Sequence, residues 1–492
     1  MKRSSGILLP VLSLPSVYGI GCFSEEAYRF IDFLKSSGQH KWQILPLGHT
    51  GYGDSPYQTF SAFAGNPYFV DPDGLLKDSL LTKAECREAI IVDKDVNYEK
   101  LYQVRYPLLK KAWGRFKKNE DYAEFCRSQT WLDDYALFMA LKDKFGGKPW
   151  YEWENKYRFK DKDVMKNCRD ELEEQMDFYK FIQYYFFKQW SAIKKYAEFS
   201  DVEIIGDIPI YTALDSVDVW IHPELFQLDE NGVPKAVAGC PPDGFSADGQ
   251  LWGNPLYDWE KHCENGFRWW ISRLEHCFRL YDIVRIDHFR GFDEYYSIPY
   301  GDNNALRGQW KKGPRKALFD AVEQALGKKS FIAEDLGFMT ESVKELVRDC
   351  GFPNMKVLEF AFDSRDTGSR EEHFPHNYGK NCVAYTGTHD NQTLLSWLES
   401  INDDELKSVK AYLCDESICN EKMLRPLIAL IMRSSAELCI IPAQDWLGLD
   451  DSSRMNTPST SGSNWKWRLS EGMLDEKLCS EIKKMTEIFG RC

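Results

Sequence analysis

Arg285, Asp287, His288 and Arg290 fall within six residues at the end of an apolar run, YDIVRIDHFRG, positions 281 to 291. A buried charge is costly unless it is paired, so this stretch is either a structural ion pair or part of an active site. Side chains alternate along a strand, which puts Arg285 and Asp287 on one face. A guanidinium there lowers the pKa of Asp287 and keeps it ionised, as a nucleophile requires. Other apolar runs also end in acids: IIGDIPIY in Asp207, IAED in Glu334 and Asp335, TGTHDN in His389, Asp390 and Asn391. Three or more carboxylates brought together repel unless a substrate, a cation or an arginine sits among them. Beside another carboxylate in a partly apolar site, Glu334 stays protonated near neutrality. A carboxylate and a carboxylic acid flanking one bond are what glycoside chemistry needs. Two other readings compete: an Arg–Asp ion pair with capping acids, and a metal site through His288 and His389. Neither histidine shows an HxxxH or HxH ligand spacing.

Something must carry these acids to one place. Eight short apolar runs recur: GILLPVL (6–12), WQILPL (42–47), VEIIGDIPIY (202–211), YDIVRID (281–287), FIAEDLG (331–337), MKVLEFAF (355–362), NCVAYTGTHD (381–390) and AELCIIPAQD (436–445). Most are separated by helical patterns, such as SEEAYRFIDFLKSSG, with Ser24 as N-cap and Gly38 as stop. The alternation predicts a parallel sheet, and eight repeats predict a closed (β/α)8 TIM barrel with its site at the C-terminal ends of the strands. An open doubly wound sheet is the alternative, weakened by the lack of a G-x-G-x-x-G fingerprint. Two gaps exceed a simple crossover. Residues 48–201, rich in helix formers, predict an inserted, mostly helical subdomain plus a return helix. Residues 212–265, of loop composition, predict a loop subdomain with an active-site lid. The chain of 1–492 then reads as one interrupted catalytic domain with no separate C-terminal β-domain.

The totals narrow the partners. A net charge of -14 with no Lys/Arg run argues against nucleic acid and anionic membranes. No stretch reaches the roughly 18–20 apolar residues that span a bilayer. Fourteen scattered cysteines without a CxxC pair predict free thiols in a reducing compartment, hence a cytoplasmic chain. The 16 Trp, 25 Tyr and 30 Phe suit stacking on sugars as well as a core. No cofactor and no metal are implied, and the sequence sets no oligomeric state.

With these residues in view, the sequence resembles the 4-alpha-glucanotransferases, also called amylomaltases or disproportionating enzymes, of the alpha-amylase clan. The motifs run in that family's order: SLPSVYGIG (13–21), LPLGHTGYGDSPYQTFSAFAGNPY (45–68), IGDIPIY (205–211), VAGCPPDGFSADGQLWGNPLYDW (237–259), VRIDHFRGF (284–292), IAEDLG (332–337), YTGTHDNQT (385–393) and RMNTPS (454–459). The resemblance implies retaining transfer among maltooligosaccharides and α-1,4-glucans. It implies Asp287 as nucleophile, Glu334 as acid/base in preference to Asp335, and Asp390 as the carboxylate stabilising the transition state. Arg285, Asp207, His389 and Asn391 fall on substrate-binding positions, Tyr57 on a stacking position, and Gln250 and Trp252 on a lid over the acceptor. The family's GxPGMKVLQFAF stands here as GFPNMKVLEFAF, with Asn354 for glycine and Glu359 for glutamine, neither expected to touch the triad. Asn354 is expected to tolerate a left-handed backbone that the glycine held. Cys240 and Gly244 replace bulkier lid residues. An α-glucan hydrolase and a catalytically silent glucan-binding protein remain as competing functions.

Overall fold

Short runs of β-branched and apolar residues bounded by Gly, Pro or acids become short strands in the computed structural model. It describes all residues except Met1, Tyr52, 243–247, Phe338, 366–369 and Ser461. The described strands are β1 (Ser4–Leu8), β2 (Lys41–Gln43), β3 (Glu203–Pro209), β4 (Ala236–Cys240), β5 (Gln250–Pro255), β6 (Ile283–Asp287), β7 (Glu294–Pro299), β8 (Gln309–Lys312), β9 (Phe331–Ala333), β10 (Asn354–Val357), β11 (Cys382–Tyr385) and β12 (Leu438–Pro442). Eight of these form one parallel sheet in the order β10, β11, β12, β1, β2, β3, β6, β9. Each pairs in parallel, as in Ile7 beside Ile441 and Trp42. Between β9 and β10 the Ala333 N–H donates to Pro353 O at 3.0 Å. The Asp335 carboxylate accepts from the Met355 N–H at 2.8 Å. These contacts draw the sheet's two edges together into a (β/α)8 barrel, as the alternation of runs predicts.

The barrel is filled from below by Leu8, Ile205, Ile283, Ile332, Met355, Val357, Val383, Tyr385, Leu438 and Ile440, all nearly or fully buried. One face of β6 reads Ile283, Arg285, Asp287, so it turns from apolar to charged toward its C-terminal end. On β3 the same step takes Ile205 to Asp207. The apolar layer keeps water out from beneath the charges, which strengthens every interaction among them.

Helices cover the barrel as their caps dictate. Ser24 accepts from the Glu26 N–H and starts the helix Glu25–Ser36, with Gly38 left-handed (φ 71°) just beyond its end. Thr340 caps Glu341–Cys350, which Gly351 stops in the same way. Between β2 and β3 the chain is built of helices, including Tyr98–Trp113, Leu132–Lys144 and the long Glu173–Phe199. The indole of Trp190 on that last helix donates to Leu280 O at 3.0 Å, tying it to the approach to β6.

Segment 212–265 departs from the expected loop. It contributes β4 and β5, which join β7 and β8 in a second, antiparallel sheet of order β5, β4, β7, β8. Its partners come from beyond β6, so the pairing has no local signature, and Gly239 and Gly253 disguise both strands. Gly244 lies outside the described residues. Asn354 is also not as expected: it opens β10 in extended backbone, and no left-handed conformation is needed there. All fourteen cysteines are free thiols. No helix among the described residues is long and apolar enough to cross a membrane.

Candidate active site

Arg285 is the fixed point at the top of the barrel. Its Nη1 lies 2.8 and 2.7 Å from the two oxygens of Asp207 and 3.0 Å from Asp287 Oδ1. Its Nε points to Met355 Sδ at 3.4 Å. Arg285 and Asp207 are buried, at 2 % and 0 % side-chain exposure, whereas Asp287 is 29 % exposed. Burying such a pair is costly unless further hydrogen bonds satisfy it. Asp207 completes its set by accepting from the Tyr57 hydroxyl at 2.7 Å.

Tyr57 links Asp207 to His389, 2.9 Å from its oxygen, and the two rings stack at 13° with centroids 5.4 Å apart. The single tyrosine proton goes to the carboxylate, so the His389 Nε2 must be the donor to Tyr57. Burial pushes His389 below its usual pKa despite Asp390, so it is neutral and carries its proton on Nε2. That nitrogen lies 3.4 Å from Asp390 Oδ1. Asp390, the most open of the acids, also accepts from Asn456 Nδ2 at 2.6 Å.

Glu334 arrives one step beyond the last β6–β9 ladder pair, Ile286 beside Ala333, and is therefore level with Asp287. The Glu334 N–H donates to Ile286 O at 3.1 Å, and the Phe289 N–H donates to Glu334 O at 3.0 Å, so the two strand ends are stitched together. Its carboxylate accepts from the His288 N–H and the Leu336 N–H, both at 2.7 Å, one on each oxygen. His288 reaches this position in a left-handed conformation (φ 54°), which few non-glycine residues adopt. Asp335 points away, into the β9–β10 seam; that is a physical reason to choose Glu334.

The charge balance differs from the expectation that Arg285 holds Asp287 down. Burial raises Asp287 well above the usual carboxylate range; Arg285 opposes this, and the nearby Glu334, Asp207 and Asp390 add to it. Burial raises Glu334 too, against Arg285 and the two N–H donors. Glu334 adds to the rise at Asp287 and Asp335 to the rise at Glu334, so the site retains a proton to a higher pH than separate carboxyls do.

The remaining expected residues fall around this centre. The Trp252 indole meets the His288 ring edge-on at 4.7 Å and donates to Gln250 Oε1 at 3.1 Å. Gln250 therefore braces Trp252, which stands over the residue after Asp287. Asn391 directs its amide inward: Nδ2 donates to Glu359 Oε2 at 3.0 Å, and Oδ1 accepts from the Thr388 N–H and hydroxyl. Asp207 and Asn391 are thus both engaged with protein neighbours in this arrangement. Two residues were given no role from the sequence. Arg454 donates to Asp390 O at 2.6 Å, and the Asn456 N–H donates to His389 O at 3.1 Å. Both belong to RMNTPS, a motif whose presence was the only signal.

A family model described as 4-alpha-glucanotransferase matches residues 9–474. The 4-alpha-glucanotransferase of Clostridium butyricum is 45 % identical over 491 residues, covering 98 % of this chain and 99 % of its own. That of Streptococcus pneumoniae is 45 % identical over 498 residues, covering 100 % of this chain and 98 % of its own. Among solved structures, the amylomaltase from Streptococcus agalactiae in complex with acarbose matches with a TM-score of 0.95 and 40 % identity, over 100 % of both chains.

Proposed function

We propose a mechanism from one premise: this chain belongs to the 4-alpha-glucanotransferase family. The observation that carries it is the level placement of Asp287 and Glu334 on adjacent strand ends, with Arg285 pinned below. The substrates are α-1,4-glucans and maltooligosaccharides. Asp287 attacks the anomeric carbon of the donor while Glu334 gives its proton to the departing glycosidic oxygen. The carbon–oxygen bond to the leaving glucan breaks and a covalent glucosyl–Asp287 ester forms. Positive charge building on the sugar favours the anion at Asp287, so the proton shared by the pair sits on Glu334 as the bond breaks. In the second half, Glu334 takes the proton from an acceptor 4-hydroxyl. That oxygen displaces Asp287 and restores the α-linkage.

Asp390 binds sugar hydroxyls more tightly as the ring flattens, which lowers the barrier by differential binding. Asp207 acts through Arg285 and Tyr57, and His389 donates to Tyr57, holding its ring beside Asp390. The inserted segment 48–201 supplies Tyr57, and 212–265 supplies Gln250 and Trp252, so both wall the site. Gln58 and Asn254 join these walls by a side-chain hydrogen bond of 3.0 Å. A held acceptor competes with water through its high effective concentration, on the order of 10⁵ M or more for well-oriented groups. The free thiols suit a cytosolic setting.

Incubation with maltotriose tests the reading. Transfer gives glucose and longer oligomers with no net gain in reducing ends, and a net gain would mean hydrolysis. An E334Q variant given α-maltosyl fluoride should accumulate a maltosyl adduct on Asp287, detected by peptide mass spectrometry. Absence of that adduct would end the covalent proposal. Shortening the Trp252 loop should raise free reducing sugar relative to transfer.

A further inference from the structure

Beneath the Asp390 loop lies a carboxyl that the mechanism leaves unused. Glu359 is 4 % exposed and follows β10. Its Oε2 accepts from Asn391 Nδ2 at 3.0 Å, while Oε1 is buried with no hydrogen-bond partner. Gly387 closes over it: a Cβ there would lie 2.6 Å from Oε1 and 3.1 Å from the Asn391 Cβ. The bond continues toward the site. Asn391 Oδ1 accepts from the Thr388 hydroxyl at 2.8 Å, and that hydroxyl accepts from the Asp390 N–H at 3.3 Å.

The charges around Glu359 do not supply a counter-ion. From the helix Ala443–Leu447 comes Asp445, 2 % exposed and itself an acid. From the turn after it comes Asp451. Arg454 is committed to Asp390 O, Asn456 O and Asp451. On the flanking segments, Glu405 is bound to Ser364, Arg370 donates to Ala361 O, and His373 accepts from the Val357 N–H. No Lys or Arg among the described residues forms a salt bridge with Glu359. An isolated buried carboxylate is expensive, and the group keeps its proton instead.

We infer that Glu359 is a positioning residue, held as a neutral carboxylic acid, that ties Asn391 and through it the Asp390 loop, so that its ionisation in alkaline solution puts an uncompensated charge beneath the loop, which draws in water, displaces the loop and slows transfer. Burial, with Asp445 and Asp451 adding to it, raises this carboxyl well above the usual range, and the Asn391 bond and the more distant Arg454 only partly oppose that. The inference rests on the role given to Asp390 above.

The test compares the parent with E359Q and E359M by kcat and KM for maltotriose disproportionation from acid through neutral to alkaline pH, over the whole range in which the protein stays folded. E359Q should match the parent in the acid half and stay active where the parent declines, because an amide has no proton to lose. Any decline from the Asp287–Glu334 pair is common to both proteins and cancels. E359M should lose roughly 3- to 10-fold in kcat at every pH with KM little changed, the loss of one hydrogen bond on the way to the transition state. Difference infrared spectra of parent minus E359Q should show a protonated carboxyl band at neutral pH. Superimposable alkaline limbs in parent and E359Q would overturn the inference, as would the absence of that band. Should E359M not fold, these two readouts still decide. Failure of the underlying reading looks different: D390N would then keep the parental kcat.

Discussion

The two mouths of the barrel are both rich in charge but handle it in opposite ways. Where the strands begin, Lys41 pairs with Glu203, and His40 lies 3.1 Å from Asp201. These groups, with Lys2, Ser4 and Ser330, line a cavity of about 280 Å³. Each acid there has its own base, and both are wet, at 53 % and 89 % exposure. Where the strands end, one guanidinium serves Asp207 and Asp287, with Glu334 and Asp390 close enough to act on Asp287 electrostatically. Matched, hydrated pairs stabilise little and do no chemistry. A partly buried site with more acids than bases disfavours ionising them all, and a retained proton is what acid catalysis requires.

Substitutions can break this contrast. On the proposed mechanism D287N should lower kcat by roughly 10⁴-fold or more in maltotriose transfer, since it removes the group proposed as nucleophile. E334Q should cost about 10²- to 10⁴-fold, the usual weight of a positioned acid/base. R285M leaves Asp207 buried without its partner and should destabilise the fold by about 3–5 kcal/mol, read from urea unfolding midpoints. K41M, at the other mouth, should change stability by no more than about 1 kcal/mol and leave kcat at the parental value. A K41M variant with impaired kcat would show that the contrast is drawn in the wrong place.

The same contrast predicts a pH dependence. The folded pKa values of Asp287 and Glu334 are raised, so the native state binds more protons than the unfolded chain. Their contribution is fully present below the unfolded carboxyl pKa of about 4 and is lost as pH rises through the folded values. D287N removes one of these acids. Its stability relative to the parent should therefore grow as pH rises above about 4, measured as unfolding midpoints across pH. A constant difference across that range would refute the assignment of proton retention to this pair.

Much of this architecture is written in local patterns. Alternating apolar runs and capped helices give the barrel, and Arg285 and Asp287 two residues apart give the inward-facing pair. What escapes depends on partners distant in sequence. The β4–β7 pairing joins residues on either side of β6, and nothing in AVAGC announces it. Asp335 looks as fit for catalysis as Glu334 until its bond to Met355 is seen. The proton balance of Asp287 escapes as well, because counting one adjacent arginine omits burial and three acids from other strands. Asn391 and Glu359 meet only because β10 and β11 are neighbours.

The antiparallel sheet has a consequence for protein engineering. Its strands β4 and β5 are fastened through β4 to β7, which follows Asp287 after only one short turn of helix. A chimera that imports residues 212–265 from a relative while retaining the native 288–312 would set mismatched halves of one ribbon against each other. Exchanged as a unit, the two stretches should carry acceptor preference from one enzyme to another; exchanged singly, they should yield misfolded protein or a poorly seated flap.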